Sequence, residues 1–95
     1  MEQRKIDDGM IRELYETILS LQTEEDCALL FDDLCTRKEV EQMAQRIRAA
    51  RLLMAGKTYN QVIEQTNISS ATLSRVSRCV QYGEGYRAFV KPEAE

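Results

Sequence analysis

The chain predicts an all-α fold, a helical dimerisation core carrying a helix-turn-helix head, and three observations support it. Apolar residues recur at three- and four-residue intervals through residues 10–34 and again through 37–55, the spacing that lines one face of a 3.6-residue helix. Capping residues precede the later stretches, and Gly56 follows the longest as a stop. The stretch Thr58–Arg78, TYNQVIEQTNISSATLSRVSR, reads as two short helices around a tight turn. The expected organisation is a single domain with a core over residues 10–56, a head over 58–80 and a short C-terminal segment over 81–95.

Residues 1–8 are polar, and a frayed end is expected there. From Gly9 onward Ile11, Leu14, Tyr15 and Ile18 fall on one face, widened by Met10, Leu19 and Leu21, which predicts a helix of about three turns. Thr23 opens a second helix, because Glu24, Glu25 and Asp26 favour a helix N-terminus and Cys27, Leu30, Phe31 and Leu34 repeat the spacing. Thr36 with Glu39 has the form of a capping box and starts the longest helix, Arg37 to about Ala55. That helix has one apolar stripe of Val40, Met43, Ala44, Ile47, Ala50 and Met54 and a second of Ala49, Leu52 and Leu53. A helix apolar on two sides wants partners on two sides, either within a monomeric bundle or across a dimer.

In the head, Thr58 can cap the first helix with Gln61 reciprocating, and Val62 and Ile63 supply its buried face. The helix breaks at Thr66–Asn67, where Asn67 is the expected left-handed residue because asparagine tolerates positive φ. Ser69 caps the second helix. Leu73, Val76 and Val80 then face inward, leaving Ser70, Ala71, Thr72, Ser74, Arg75 and Arg78 on or beside the outer face. Small residues at the start of such a helix can approach base edges closely. The expected DNA-contacting set is Lys57, Asn60, Gln61, Ser69, Ser70, Ala71, Thr72, Ser74, Arg75 and Arg78. Within it, Ser70, Ala71 and Thr72 would read bases, while Lys57, Arg75 and Arg78 would hold phosphates or position the helix. The bland alternative is a helical hairpin whose Ser and Thr residues only cap. After it, Tyr82-Gly83-Glu84-Gly85-Tyr86 reads as a turn, and Arg87–Lys91 as a short final turn before Pro92. This Gly-x-Gly follows a helix rather than a strand, so it is no nucleotide-binding signal.

Composition narrows the function. Ninety-five residues folding alone would bury only about two-thirds of their unfolded surface, so dimerisation is an expected source of extra core. No apolar run has the length of a membrane span and no signal core follows a basic start, so a cytoplasmic protein without membrane partners is expected. Cys27, Cys35 and Cys79 are odd in number and widely spaced, which argues against a disulfide framework and for packing roles. The absence of histidine removes His-ligated zinc, His-based general catalysis and Ser-His triads, so neither an enzyme nor a metal site is expected. The net charge of −3 hides an asymmetry: residues 1–35 hold three basic against ten acidic side chains, whereas residues 36–91 hold ten basic against four acidic. A basic block centred on a helix-turn-helix is the footprint of a phosphate-contacting surface, although charge can also segregate without function.

Four pieces in order and spacing carry a family resemblance: Leu-Cys-Thr at Leu34–Thr36, Gln-Arg-Ile-Arg at Gln45–Arg48, Leu-Leu-Met-Ala-Gly at Leu52–Gly56 and Ala-Thr-Leu-Ser-Arg at Ala71–Arg75. Over Leu34 to about Val80 the chain resembles the Trp repressor family of bacterial regulators. Its Tyr-Gly-x-Gly-Tyr at Tyr82–Tyr86 looks like a branch other than the tryptophan regulator itself. The resemblance implies an intertwined homodimer, with the N-terminal helices and long helices in a shared core and two projecting heads. It also implies a corepressor clasped between core and head by two arginines, matched here by Arg46 and Arg75, with Thr36 and Cys79 completing the candidate effector-binding set. A guanidinium can stack on a ring or hold a carboxylate. Equally, Arg75 could touch only phosphate and Arg46 pair only with Glu41 or Glu39.

The departure from the family lies beside Arg75. Where tryptophan-binding members have a glycine that leaves room for the indole, this chain has Val76, and the polar residue three positions on is replaced by Cys79. A β-branched side chain would partly fill the slot, and a thiol is a weak donor and acceptor. The expectation is DNA binding with no small-molecule corepressor, or with a smaller or differently shaped ligand. Together the residues and the resemblance point to a sequence-specific, repressor-like regulator binding double-stranded DNA as a homodimer. The alternative is a helical dimeric protein-interaction module without specific DNA binding.

Overall fold

The computed structural model describes residues 7–94. Among the described residues the regular elements are helices: α1 (Asp8–Leu19), α2 (Glu24–Leu34), α3 (Arg37–Met54), α4 (Tyr59–Thr66), α5 (Ser70–Tyr82) and α6 (Gly85–Phe89). The chain divides into two compact units, Met1–Thr36 and Arg37–Glu95.

In the first unit, the Asp7 carboxylate accepts from the Gly9 N–H at 3.0 Å and starts α1. Asp7 and Asp8 therefore belong to a helix start rather than to a frayed end, because an acidic cap satisfies an orphan donor and complements the helix dipole. The rest of the expected fraying, residues 1–6, lies outside the described residues. Thr23 caps α2 as expected, its hydroxyl accepting from the Asp26 N–H at 3.0 Å, and the Asp26 carboxylate accepts in turn from the Gln22 N–H at 3.0 Å. Neither helix contains a buried residue. Ile11, Leu30 and Phe31 are half-buried, while Met10, Tyr15, Leu19 and Leu29 are well exposed. Cys27 is exposed too, contrary to the expected packing role, since α2 buries nothing around it.

The second unit holds the core. The 18-residue α3 ends where Gly56 takes φ +90°, with the Gly56 N–H donating to the Leu53 carbonyl at 3.0 Å and the Lys57 N–H to the Leu52 carbonyl at 3.1 Å. This pair of bonds satisfies carbonyls that a helix end leaves open, and positive φ favours glycine there. Ala49, Ala50 and Leu52 of α3 are buried with Val62, Ile68, Leu73 and Val76, and Leu53, Ile63, Val80, Tyr86 and Val90 pack against them. The two apolar sides of α3 thus separate. Leu52 and its neighbours, joined by Ala50, face the core, whereas Ala44 and Ile47 stay exposed.

The C-terminal segment departs from the sequence reading. The helical turn comes earlier, at Gly85–Phe89 rather than Arg87–Lys91, so Gly85 and Tyr86 are helical. The cause lies at the junction, where the Gly83 N–H closes α5 on the Cys79 carbonyl at 2.8 Å and Arg87 reaches back to the Gly83 carbonyl through Nε (3.1 Å) and Nη2 (2.7 Å). A Cβ at Gly83 would stand 2.8 Å from the Cys79 carbonyl oxygen, so only glycine fits this close approach. Beyond Val90, the Glu93 N–H donates to the Arg51 carbonyl at 3.0 Å, and residues 91–93 lie back along α3.

Candidate nucleic-acid interface

The head is set by short-range bonds. The Thr58 hydroxyl accepts from the Gln61 N–H at 3.2 Å while the Gln61 side chain accepts from the Thr58 N–H at 2.9 Å, the reciprocal capping box read in the sequence. Asn67 is left-handed, with φ 62° and ψ 22°, and closes α4. The Ser69 hydroxyl then accepts from the Thr72 N–H at 3.2 Å and opens α5. Between these caps, Ile68 is buried and plugs the turn into the core. The Thr66 hydroxyl donates to the Val62 carbonyl at 2.7 Å and accepts from the Ile68 N–H at 3.2 Å, and Gln45 of α3 donates to the Thr66 carbonyl at 3.1 Å. A long-helix side chain is thereby tied to the turn itself.

The outer face follows from the inner one. Because Leu73, Val76 and Ser77 of α5 are buried, Ser70, Ala71, Ser74, Arg75 and Arg78 are left exposed. Lys57, Asn60, Gln61 and Ser69 are exposed as well. Three of the ten expected contact residues already have local duties: Gln61 and Ser69 are caps, and the half-buried Thr72 carries a hydroxyl 2.9 Å from that of Ser69. Over residues 57–80 the cations are Lys57, Arg75 and Arg78, and Glu64 is the single acid. Such a surface attracts a polyanion and can approach it closely.

The candidate effector residues lie on different elements. Arg46 is half-buried on α3, Arg75 is exposed on α5, and Thr36 is exposed just before α3. Cys79, half-buried, lines an apolar cavity of about 430 Å³ with Ile47, Gly83, Gly85, Tyr86 and Val90. Neither arginine lines that cavity, nor a more open one of about 600 Å³ bordered by Gln45, Arg48, Arg51 and Thr66. Val76 is 1% exposed and belongs to the core. The Glu41 carboxylate is held by Arg37 at 3.2 Å, one turn along α3, rather than by Arg46. Among the described residues no group of His, Cys, Asp or Glu could hold a metal ion, and no helix is long and apolar enough to cross a membrane.

Sequence reasoning missed Ile68, Gln45 and the pairing of Arg51 with the chain end. A lone apolar residue between the Asn67 and Ser69 caps was the available signal for the first. The other two join positions far apart in the chain, and no local pattern marks them.

Comparison with known proteins agrees with this geometry. The profile of the Trp repressor protein family matches residues 10–93. The uncharacterised protein YerC of Bacillus subtilis (strain 168) is 43% identical over 83 residues, covering 87% of this chain and 80% of that protein. A crystal structure from Staphylococcus aureus superposes with a TM-score of 0.81 at 34% identity, over 90% of this chain and 91% of that one. The structure of a TrpR like protein from Eubacterium eligens ATCC 27750 gives the same TM-score at 31% identity, over 90% and 94% of the two chains.

Proposed function

The chain belongs to the Trp repressor family, and from that premise we propose that it is a sequence-specific, repressor-like regulator of transcription that binds double-stranded DNA as a homodimer. The observation that carries the reading is the doubly capped head, in which α5 buries Leu73 and Val76 and turns Ser70, Ala71, Ser74, Arg75 and Arg78 outward. The start of α5 enters the major groove. Ser70 and Ala71 lie against base edges there, while Lys57, Arg75 and Arg78 engage phosphates, which hold the protein without reading sequence.

The dimer supplies what one chain lacks. Ile47 is 49% exposed on the long helix, and α1 and α2 bury nothing while carrying Met10, Leu14, Tyr15, Ile18 and Leu29 at the surface. Monomeric proteins rarely leave so many large apolar side chains in water. A two-fold dimer presents two heads to half-sites about one helical turn apart.

Tryptophan is not the effector in this reading. Val76 occupies core volume next to Arg75, and packed interiors seldom leave a second vacancy beside such a side chain. The protein acts without a corepressor, or through a smaller or differently shaped ligand reached by Arg46 and Arg75.

Selection of bound sequences from a random duplex pool tests the proposal. It should return a two-fold symmetric motif. Three cations per head imply about six phosphate contacts per dimer, hence a slope of log affinity against log salt near −5. A pool without enrichment and a flat salt response would favour the protein-interaction module instead.

A further inference from the structure

We propose that residues 91–93 form a strap that fixes α5 against α3, with Arg51 and Glu93 as its positioning residues. The inference rests on the DNA-binding reading above and assigns how the head is held in register.

The strap is a two-point clamp on one residue. The Arg51 carbonyl, which already accepts from the Ala55 N–H at 3.1 Å, also accepts from the Glu93 N–H at 3.0 Å. The Arg51 side chain returns the contact, its Nε donating to the Lys91 carbonyl at 3.2 Å. Charge reinforces the backbone bonds: Glu93 Oε1 lies 3.4 Å from Arg51 Nη2 and 3.9 Å from Arg48 Nε. That oxygen is shielded from solvent and makes no hydrogen bond, so the two guanidinium charges are what offsets its burial. Pro92 between the two anchor points fixes its own φ, so little chain freedom is lost on docking.

Upstream of the strap there is no slack. Arg87 holds α6 to the end of α5 through two bonds to the Gly83 carbonyl, and Gly83 itself sits against the Cys79 carbonyl. Tyr86 and Val90 pack on the core between the junction and the strap. The head is thus flanked by two attachments to α3, the Gly56 stop before it and, past α6, the Arg51–Glu93 contact. α5 already packs on α3 through Leu73, Val76 and Val80; the strap adds an attachment beyond the end of that contact, which limits the remaining tilt of the helix, and the chain's own carboxylate does the holding.

The test uses the full-length protein with Glu93→Gln, Glu93→Ala, Arg51→Glu and the charge-swapped pair Arg51→Glu/Glu93→Arg. Amide hydrogen exchange in α6 should quicken about tenfold in the Glu93 variants while the buried amides of α3 stay protected. If α5 without the strap holds the binding-competent angle about one-fifth of the time, affinity for the selected operator falls about fivefold. Affinity for random duplex, which needs no set angle, should stay within about twofold. A loss of folded protein would lower both together. The swapped pair should recover part of what Arg51→Glu alone loses. Unchanged α6 exchange in both Glu93 variants would overturn the strap, and faster exchange with an unchanged ratio of specific to random binding would overturn its positioning role. If the unmodified protein binds no duplex at all, the regulator reading and the positioning role fall together, while the exchange result still decides whether the strap holds α6.

Discussion

Replacing Ile47 with aspartate separates a chain that works alone from one that folds as a dimer. In the single chain Ile47 is 49% exposed, so for a monomer the change forfeits only the half already buried, about 1 kcal/mol. If a second copy covers the exposed half, the lost burial is about half the 1.5–3 kcal/mol of a full isoleucine, roughly 1 kcal/mol per copy. Two-fold symmetry doubles that to about 2 kcal/mol. The interface also gains two carboxylates withdrawn from water, one from each copy, and each adds several kcal/mol unless it finds a partner. The sum approaches the 5–15 kcal/mol that typically holds a small protein together. Circular dichroism melts over a hundredfold concentration range, with sedimentation at the same concentrations, give the readout. The unmodified protein should sediment as a dimer whose melting temperature rises with concentration, and Ile47→Asp should be unfolded at low micromolar concentration. A folded, concentration-independent monomer of the unmodified chain would refute the reasoning.

Ala71→Glu places a carboxylate against the groove on an exposed position. It should abolish specific DNA binding in a gel-shift titration with little change in melting temperature, and unaltered specific binding would mean α5 is not the reading helix. Calorimetric titration with L-tryptophan should show nothing tighter than about millimolar, roughly −4 kcal/mol; a micromolar, saturable signal lost in Arg75→Ala would restore a tryptophan site. At Asn67, whose φ is 62°, valine should cost about 1–2 kcal/mol because a branched side chain resists the left-handed region. Glycine there should melt within about 3 °C of the unmodified protein, since it adopts that conformation freely.

The head was legible almost residue by residue because its signals are local. Thr58 and Gln61 satisfy each other three residues apart, Asn67 needs only its own φ, and Ser69 reaches Thr72 within one turn. Hydrophobic periodicity located α1, α2 and α3 for the same reason, since a helical stripe is written within a few turns. It could not say which side of α3 meets which partner, and Ala50, read on the stripe with Ile47, is buried where Ile47 is not. The C-terminal segment was misread because its geometry depends on distant atoms. Gly83 and Gly85 look like turn residues, yet Arg87 folds a helix over them, and Glu93 is held by arginines more than forty positions earlier. The candidate interface was found as a set of residues, but that Gln61, Ser69 and Thr72 divide their polar atoms between capping and any ligand emerged only with the hydrogen bonds in place.

Along α5 the residues that hold the fold and those that face outward are different residues. Leu73, Val76 and Ser77 are buried, while Ser70, Ala71, Ser74, Arg75 and Arg78 are exposed, so the outer set can be rewritten with each change costing stability no more than about 0.5 kcal/mol. In the two-fold reader proposed above, every such change would act on both half-sites at once. A substitution that shifts preference by about 1.5 kcal/mol at one base pair shifts it by about 3 kcal/mol over the operator, more than a hundredfold. Under the proposed reading, a lineage built on this helix would acquire a new address on DNA in very few steps, and return from it, without passing through unfolded intermediates.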